Sequence, residues 1–512
     1  MTTQFSLCSR ITTSILMLAL ICLSNARALN AQDISGGAGV LLVSADVEAR
    51  LGKGIFTSPQ NVAHAPKRLE KKTVARVRSA HTRQTTGGGG QEANNGGGSG
   101  SGGLGGAPRR VLDAEGYNRQ GDDLFDKGQY DKALESYQQA VKLKPAYPEA
   151  LLNVGQTFFN LGKYDEAVAA EKQAIALKPD WAEPYAALGS AYLKLEKVSE
   201  ALEPLHKAIA LDPKDTDARN SLSLAYYDQG VAAYNANKYE DATAAYKQAL
   251  TYKPEYAEAQ NNLGDSYRRL EKYPEAIEAY KQAVRLKPDS VDALSHLSAI
   301  YDKLGRYPEA ADSYKKVIRF KQDDAEANNN MGYALGKSKR WTEAIEAFKR
   351  AIQLKPDYAE AQSNLGWAYN NIGNYNAALD PLNAAIKLKP ELPEAHLNIG
   401  IAYTHLKQND QAVTAFQETI KLKPDWPAAQ NNLGVALMNL GKWKQAISPL
   451  KEAVRLKPDY QGAHYNLGLA FLEAGDKKSA VQEYNILRPL NLNNANALYF
   501  RIYRKPPPSN QP

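Results

Sequence analysis

The chain has 512 residues, 63 Lys+Arg against 56 Asp+Glu, a net charge of +7 and 43% hydrophobic residues, enough for several globular domains. Residues 1–113 hold 13 basic and 6 acidic side chains, which leaves 50 of each for the rest, so a basic superhelix built for nucleic acid is excluded. The 2 cysteines, Cys8 and Cys22, both lie near the N-terminus, so no disulfide framework supports the main body.

In chain order, the first predicted element is a secretory signal over residues 1–28. Arg10 precedes the apolar run Ile15–Leu23, and small residues follow at Ser24, Ala26 and Ala28. Ala26-Arg27-Ala28 is the expected cleavage site, with Ser24-Asn25-Ala26 as a competitor. An uncleaved anchor is the other reading, but the run is short against the roughly 20 residues of a membrane span. The expected location is therefore outside the cytosol: periplasmic, envelope-associated or secreted. Residues 29–86 read as a basic leader of low order with one short strand, Gly39–Ser44. Lys67, Arg68, Lys71, Lys72, Arg76, Arg78 and Arg83 fit either attachment to an anionic envelope surface or a solvated charge run. Residues 87–110 are dominated by Gly with Ser and Asn and read as a flexible linker.

From residue 111 to 494 a 34-residue pattern recurs. Pro145, Pro179 and Pro213 are 34 apart, Pro254 follows after 41, and Pro288, Pro356, Pro390, Pro424 and Pro458 resume the beat, with Gln322 in the one missing place. A fixed period of this size means a stacked solenoid. Within 359–392, Leu365, Gly366 and Tyr369 form one helical stripe and Tyr375, Ala378, Leu382 and Ala385 another. Gly373 closes the first helix in the left-handed conformation and Pro390 ends the second. Gly366, Ala378 and Ala385 let the two backbones approach. Asp180 with Glu183, and Asp357 with Glu360, have capping-box spacing and predict the helix starts. The unit at 216–256 has seven extra residues, nearly two turns, so its first helix is expected to be longer.

These offsets of Leu-Gly, Tyr, Gly, Tyr, Ala and Pro resemble the tetratricopeptide repeat family over eleven units. The resemblance implies an all-α fold: a right-handed solenoid of helix hairpins, here preceded by a disordered N-terminal region. Residues 495–504 read as a capping helix and 505–512 as a disordered Pro-rich tail.

Asn153, Asn262, Asn330, Asn364, Asn398, Asn432 and Asn466 each stand just before the Leu-Gly-type pair of their unit, with His296 in one intervening place and Ala187 in another. Asn is a poor helix former, so its repetition requires a cause. A side-chain amide donates and accepts. A row of them facing the groove would pair with the backbone of an extended peptide. The row is similar to the asparagine ladder in the repeat superhelix of the O-GlcNAc transferases, although no glycosyltransferase domain follows here. The other reading is a ladder that bonds neighbouring helices and fixes the twist. Arg269, Lys303 and Lys337, seven residues beyond ladder positions, are candidates to receive acidic side chains or a C-terminal carboxylate, or are ordinary surface charge. Tyr333 and Trp367 offer hydrophobic contacts or packing.

The seven histidines form no i, i+4 pair, and no HExxH, G-x-S-x-G or P-loop motif is present. His396 and His464 share one repeat position, which points to packing or groove lining. The expected protein is therefore no enzyme and needs no cofactor or metal. It is an exported scaffold that holds extended protein segments in a concave groove. The alternatives are a structural spacer and a substrate-capturing accessory subunit of a separate enzyme. Oligomeric state is not encoded in any motif.

Overall fold

A computed structural model describes residues 112–504 of the chain. The expected signal at 1–28, the leader at 29–86 with its strand and basic segment, the linker at 87–110 and the tail at 505–512 lie outside those residues or at their edge. Among the described residues every regular element is an α-helix. The first seven hairpins pair α1 (Ala114–Asp126) with α2 (Tyr130–Leu143), α3 (Pro148–Asn160) with α4 (Tyr164–Leu177), α5 (Ala182–Lys194) with α6 (Val198–Leu211), α7 (Thr216–Asn235) with α8 (Tyr239–Tyr252), α9 (Ala257–Arg269) with α10 (Tyr273–Leu286), α11 (Val291–Lys303) with α12 (Tyr307–Phe320), and α13 (Ala325–Lys337) with α14 (Trp341–Leu354). The last four pair α15 (Ala359–Asn371) with α16 (Tyr375–Leu388), α17 (Pro393–His405) with α18 (Asn409–Leu422), α19 (Pro427–Asn439) with α20 (Trp443–Leu456), and α21 (Gln461–Glu473) with α22 (Lys477–Leu490). A final helix, α23 (Leu492–Tyr503), follows. These elements fall into two compact units, α1–α14 and α15–α23. Within each unit, a helix packs first on its hairpin partner and then on the next hairpin.

The seam of every hairpin but α11–α12, where Ser298 stands, is set by one glycine. Gly332 on α13 faces Phe348 on α14, and a Cβ there would lie 2.7 Å from the ring. Gly366 stands in the same way against Leu382, flanked by Ala378 and Ala385, both 0% exposed. The longer first helix is found: α7 has 20 residues where the other first helices have 13.

Between first and second helix the chain passes through a left-handed residue. Gly373 has φ 76°, as predicted, but the same place is held by Glu271 (φ 58°), Lys339 (φ 62°) and Lys407 (φ 61°). A side chain in that region is strained by roughly 1–2 kcal/mol. Lys339→Gly is therefore expected to raise stability by about 0.5–1 kcal/mol after the entropy cost of glycine, read as a higher urea midpoint.

The predicted Asp caps are corrected. α5 and α15 begin one residue later than expected, so their N-caps are Trp181 and Tyr358, and neither makes a side-chain cap bond. At α5 the aromatic serves another contact, with Lys178 Nζ 4.8 Å from the Trp181 ring, and this Lys-aromatic pair recurs at Lys144–Tyr147, Lys253–Tyr256 and Lys423–Trp426. Side-chain caps occur elsewhere: Asp113, Asp215, Ser290 and Asp324 accept from first-turn amides. The closing helix begins at Leu492, three residues before the expected start, because Asn491 caps it by accepting from Asn494 N at 3.1 Å. Its Leu498 covers Gly468, as a second-helix residue covers the glycine in other hairpins.

Candidate binding faces of the first helices

Positions on each first helix are conveniently counted from the seam glycine. The asparagine row stands two residues before it. Asn153 Nδ2 donates to Asn118 Oδ1 at 3.0 Å, Asn262 Nδ2 to Tyr227 Oη at 3.0 Å, and Asn466 Nδ2 to Asn431 Oδ1 at 2.9 Å. In each case the acceptor lies 35 residues earlier, on the first helix of the preceding hairpin. Asn330 and Asn432 accept from their neighbours Asn329 (3.3 Å) and Asn431 (3.2 Å). Asn364 and Asn398 are buried, and Asn432 and Asn466 have no exposed surface.

Where bonded in this way, at Asn153, Asn262 and Asn466, the row stitches successive first helices together. The residue one after the seam glycine occupies the middle of the groove face, and the asparagine, three residues before it, lies about 60° round the helix. That rotation turns the amide sideways, toward the neighbouring helix. The missed partners stand three before the glycine, at Asn118, Tyr227 and Asn431. The doublets Asn261-Asn262 and Asn431-Asn432 were their sequence signal.

The row of cations is also engaged sideways. Arg269 lies over the Tyr239 ring at 5.8 Å and its Nε donates to Tyr234 Oη at 3.3 Å. Lys303 stands 4.8 Å from the Tyr273 ring and Lys337 5.6 Å from that of Tyr307. Each ring begins the second helix of the preceding hairpin. His405, at the same place, stacks on Tyr375 with centroids 4.1 Å apart. Tyr333 meets Tyr307 edge-on at 6.3 Å. His396 and His464 pack: their Nε2 atoms lie 2.8 and 2.9 Å from the carbonyls of Pro390 and Pro458. His464 Nδ1 is also 2.6 Å from Glu483 Oε2.

Two interruptions of the ladder leave polar atoms without partners. At Asn432 the position 35 residues back is Leu397, and Asn432 Nδ2 is unpaired. Between α9 and α11 the ladder residue is His296, so Asn261 Oδ1, 35 residues earlier, receives no amide. Around it Arg268 Nε and His296 Nδ1 are likewise buried and unpaired. Asp265 sits among them. It accepts from Tyr280 Oη at 2.7 Å and Arg268 Nη2 at 3.3 Å, and lies 3.1 Å from His296 Nδ1, off the hydrogen-bonding direction. Burial pushes the Asp302 carboxyl up to about 7, although its bond from Tyr314 Oη at 3.0 Å works the other way. An unpaired amide oxygen and a fixed cation donor thus stand together between α9 and α11. No group of three or more His, Cys, Asp or Glu placed to hold a metal occurs among the described residues.

A family model for the Cilia and flagella-associated protein 70 C-terminal domain matches residues 72–335, and tetratricopeptide repeat models match 323–391, 402–441 and 436–475. No curated protein matches by sequence. Similar solved structures include yeast Tom70 (17% identity, 76% of this chain and 96% of that one, TM-score 0.36) and the APC/C hetero-tetramer Cut9-Hcn1 (15%, 77% and 97%, 0.41). Another is YrrB, described as a TPR protein with an unusual peptide-binding site (23%, 36% and 95%, 0.33).

Proposed function

Because the chain belongs to the tetratricopeptide repeat family, whose members generally mediate protein–protein interactions, we propose that it is an exported scaffold holding an extended protein segment against its first helices. The observation that carries this reading is the unpaired cluster between α9 and α11. A peptide backbone offers N–H and C=O groups in alternation, and the cluster offers an acceptor in Asn261 Oδ1 and a donor in Arg268 Nε. Buried polar atoms without partners cost about 1–3 kcal/mol each, and a bound segment that completes them recovers part of that cost. The bonded asparagines support the same function indirectly, by holding successive first helices in a fixed spacing against which a segment can register. Export rests on the apolar run Ile15–Leu23, and residues 67–83 supply cationic contact with an anionic envelope surface in this reading.

Selection of peptides from a displayed random library tests it. Wild-type protein is expected to enrich extended sequences whose binding falls at least tenfold in an Asn261→Ala/Arg268→Ala variant of unchanged helicity. Equal binding by the variant, or no enrichment at all, defeats the reading.

A further inference from the structure

In the α15–α23 unit, the second helices α18 and α20 both pack on α19, the first helix between them. The three helices line a cavity of about 890 Å³. Its apolar lining is Ile420 of α18, Leu433 of α19, and Ile447 and Pro449 of α20. Its charge is one-sided: Lys421, Lys444, Lys451 and Arg455 stand against a single acid, Glu452. Arg455 is held by that acid through bonds of 2.7 and 2.6 Å, and Lys421 lies 3.1 Å from Glu418 on its own helix. Lys444 and Lys451 are exposed and have no carboxylate in ion-pair reach among the described residues; Lys451 has the Phe471 ring at 5.4 Å. Gln430 of α19 also lines the cavity. It is 8% exposed, and its side-chain amide makes no hydrogen bond among the described residues.

We infer that this cavity is a second docking site, and that it takes a segment of a partner protein in which apolar side chains alternate with carboxylates. It is built largely on second helices and belongs to a different unit from the α9–α11 cluster, so one chain holds two partners at once. The apolar lining stays in water until a partner's side chains cover it, and that burial supplies affinity. The two unpaired lysines stand beside this apolar lining, where charges are less screened than in open water. They attract carboxylates and repel basic segments, so charge supplies the selection. The Gln430 amide both donates and accepts, and is free to pair with a backbone group of the segment. A phosphate fits less well, because the one guanidinium that could grip it as a fork is already held by Glu452.

The test uses the full chain and a photo-crosslinking peptide of alternating leucine and glutamate, with the labelled residues read by mass spectrometry. Crosslinks are expected on α18 and α20. Their yield is expected to fall at least tenfold in Lys444→Glu/Lys451→Glu, at unchanged helicity, while crosslinks elsewhere, including the basic residues 67–83, stay constant as the reference. A leucine–lysine peptide of the same length is expected to label α18 and α20 in the reversed variant and not in wild type. Equal yields from wild type and variant, or failure of the leucine–lysine peptide to label the variant, overturn the inference. So does a glycine–glutamate peptide that labels as well as the leucine–glutamate one, which reduces the site to bare charge. Binding of phosphatidylserine vesicles, or self-association of the peptide-free protein, that the same reversal abolishes identifies a membrane or a second copy as the occupant and also overturns it. Asn261→Ala/Arg268→Ala is expected to leave the α18 and α20 crosslinks unchanged, so the two sites fail separately.

Discussion

Replacing Glu171 by leucine is expected to stabilise the α1–α14 unit by about 2–4 kcal/mol at neutral pH. Glu171 stands on α4 where other second helices carry Tyr137, Leu205, Tyr246, Tyr280 or Phe348, the residue that lies on the seam glycine. It is 1% exposed, and neither carboxyl oxygen has a hydrogen-bond partner. Leu205 fills the same space above Gly189, with Cδ2 2.6 Å from where a Cβ would stand, so leucine fits the seam without rearrangement. The substitution exchanges an unpaired polar group for apolar burial, and the result is read as a higher urea midpoint. A lowered midpoint would mean that the carboxyl is satisfied in solution.

The same residue gives the unit a pH dependence of definite sign. Burial holds Glu171 well above the usual carboxylate range, and burial with the nearby Glu196 charge pushes Asp228 up to about 6, while Asp302 reaches about 7. In the unfolded chain each titrates near 4. Between about pH 4 and 7 the folded state therefore binds more protons than the unfolded one, and stability falls as pH rises. Wild type is expected to be more stable at pH 5 than at pH 8, and Glu171→Leu to reduce that difference.

The period, the hairpins and the long α7 were legible because each depends on a local signal repeated many times: Pro after a second helix, Gly at a turn, apolar spacing of 3 and 4. The helix starts at α5 and α15 were misread because Asp180 and Asp357 carry the right residue type, while the aromatics after them take the N-cap place and one of them its own lysine contact. The asparagine row was recognised as a row, but its direction was left open between the groove and the neighbouring helix. Direction depends on a rotation of about 60° between two positions of one helix and on what the neighbouring helix offers 35 residues away. No single unit contains that information. The α9–α11 cluster was hidden for the same reason, since it arises where His296 fails to meet Asn261. Glu171 was visible as an odd residue in an apolar column, and only its burial gives it meaning.

Gly332→Ala is expected to destabilise the α1–α14 unit through a single added methyl group. The added Cβ would meet the Phe348 ring at Cε1, Cδ1 and Cζ, 2.7, 2.8 and 3.0 Å away. Phe348 is 0% exposed, so an entire ring edge, not the end of a flexible chain, would have to move. Overpacking of this kind costs about 1–3 kcal/mol, against which alanine's better helix propensity returns at most about 1. The net expectation is a loss of about 2 kcal/mol. Phe348→Ala alone should cost about 3–5 kcal/mol by leaving a cavity. If the contact across the seam is the cause, the two changes do not add. The double variant places the new methyl in the new cavity, and its loss should fall short of the sum by more than 1 kcal/mol, a coupling typical of touching residues. Additive losses in urea unfolding would show that Gly332 serves a purpose other than leaving room for the ring.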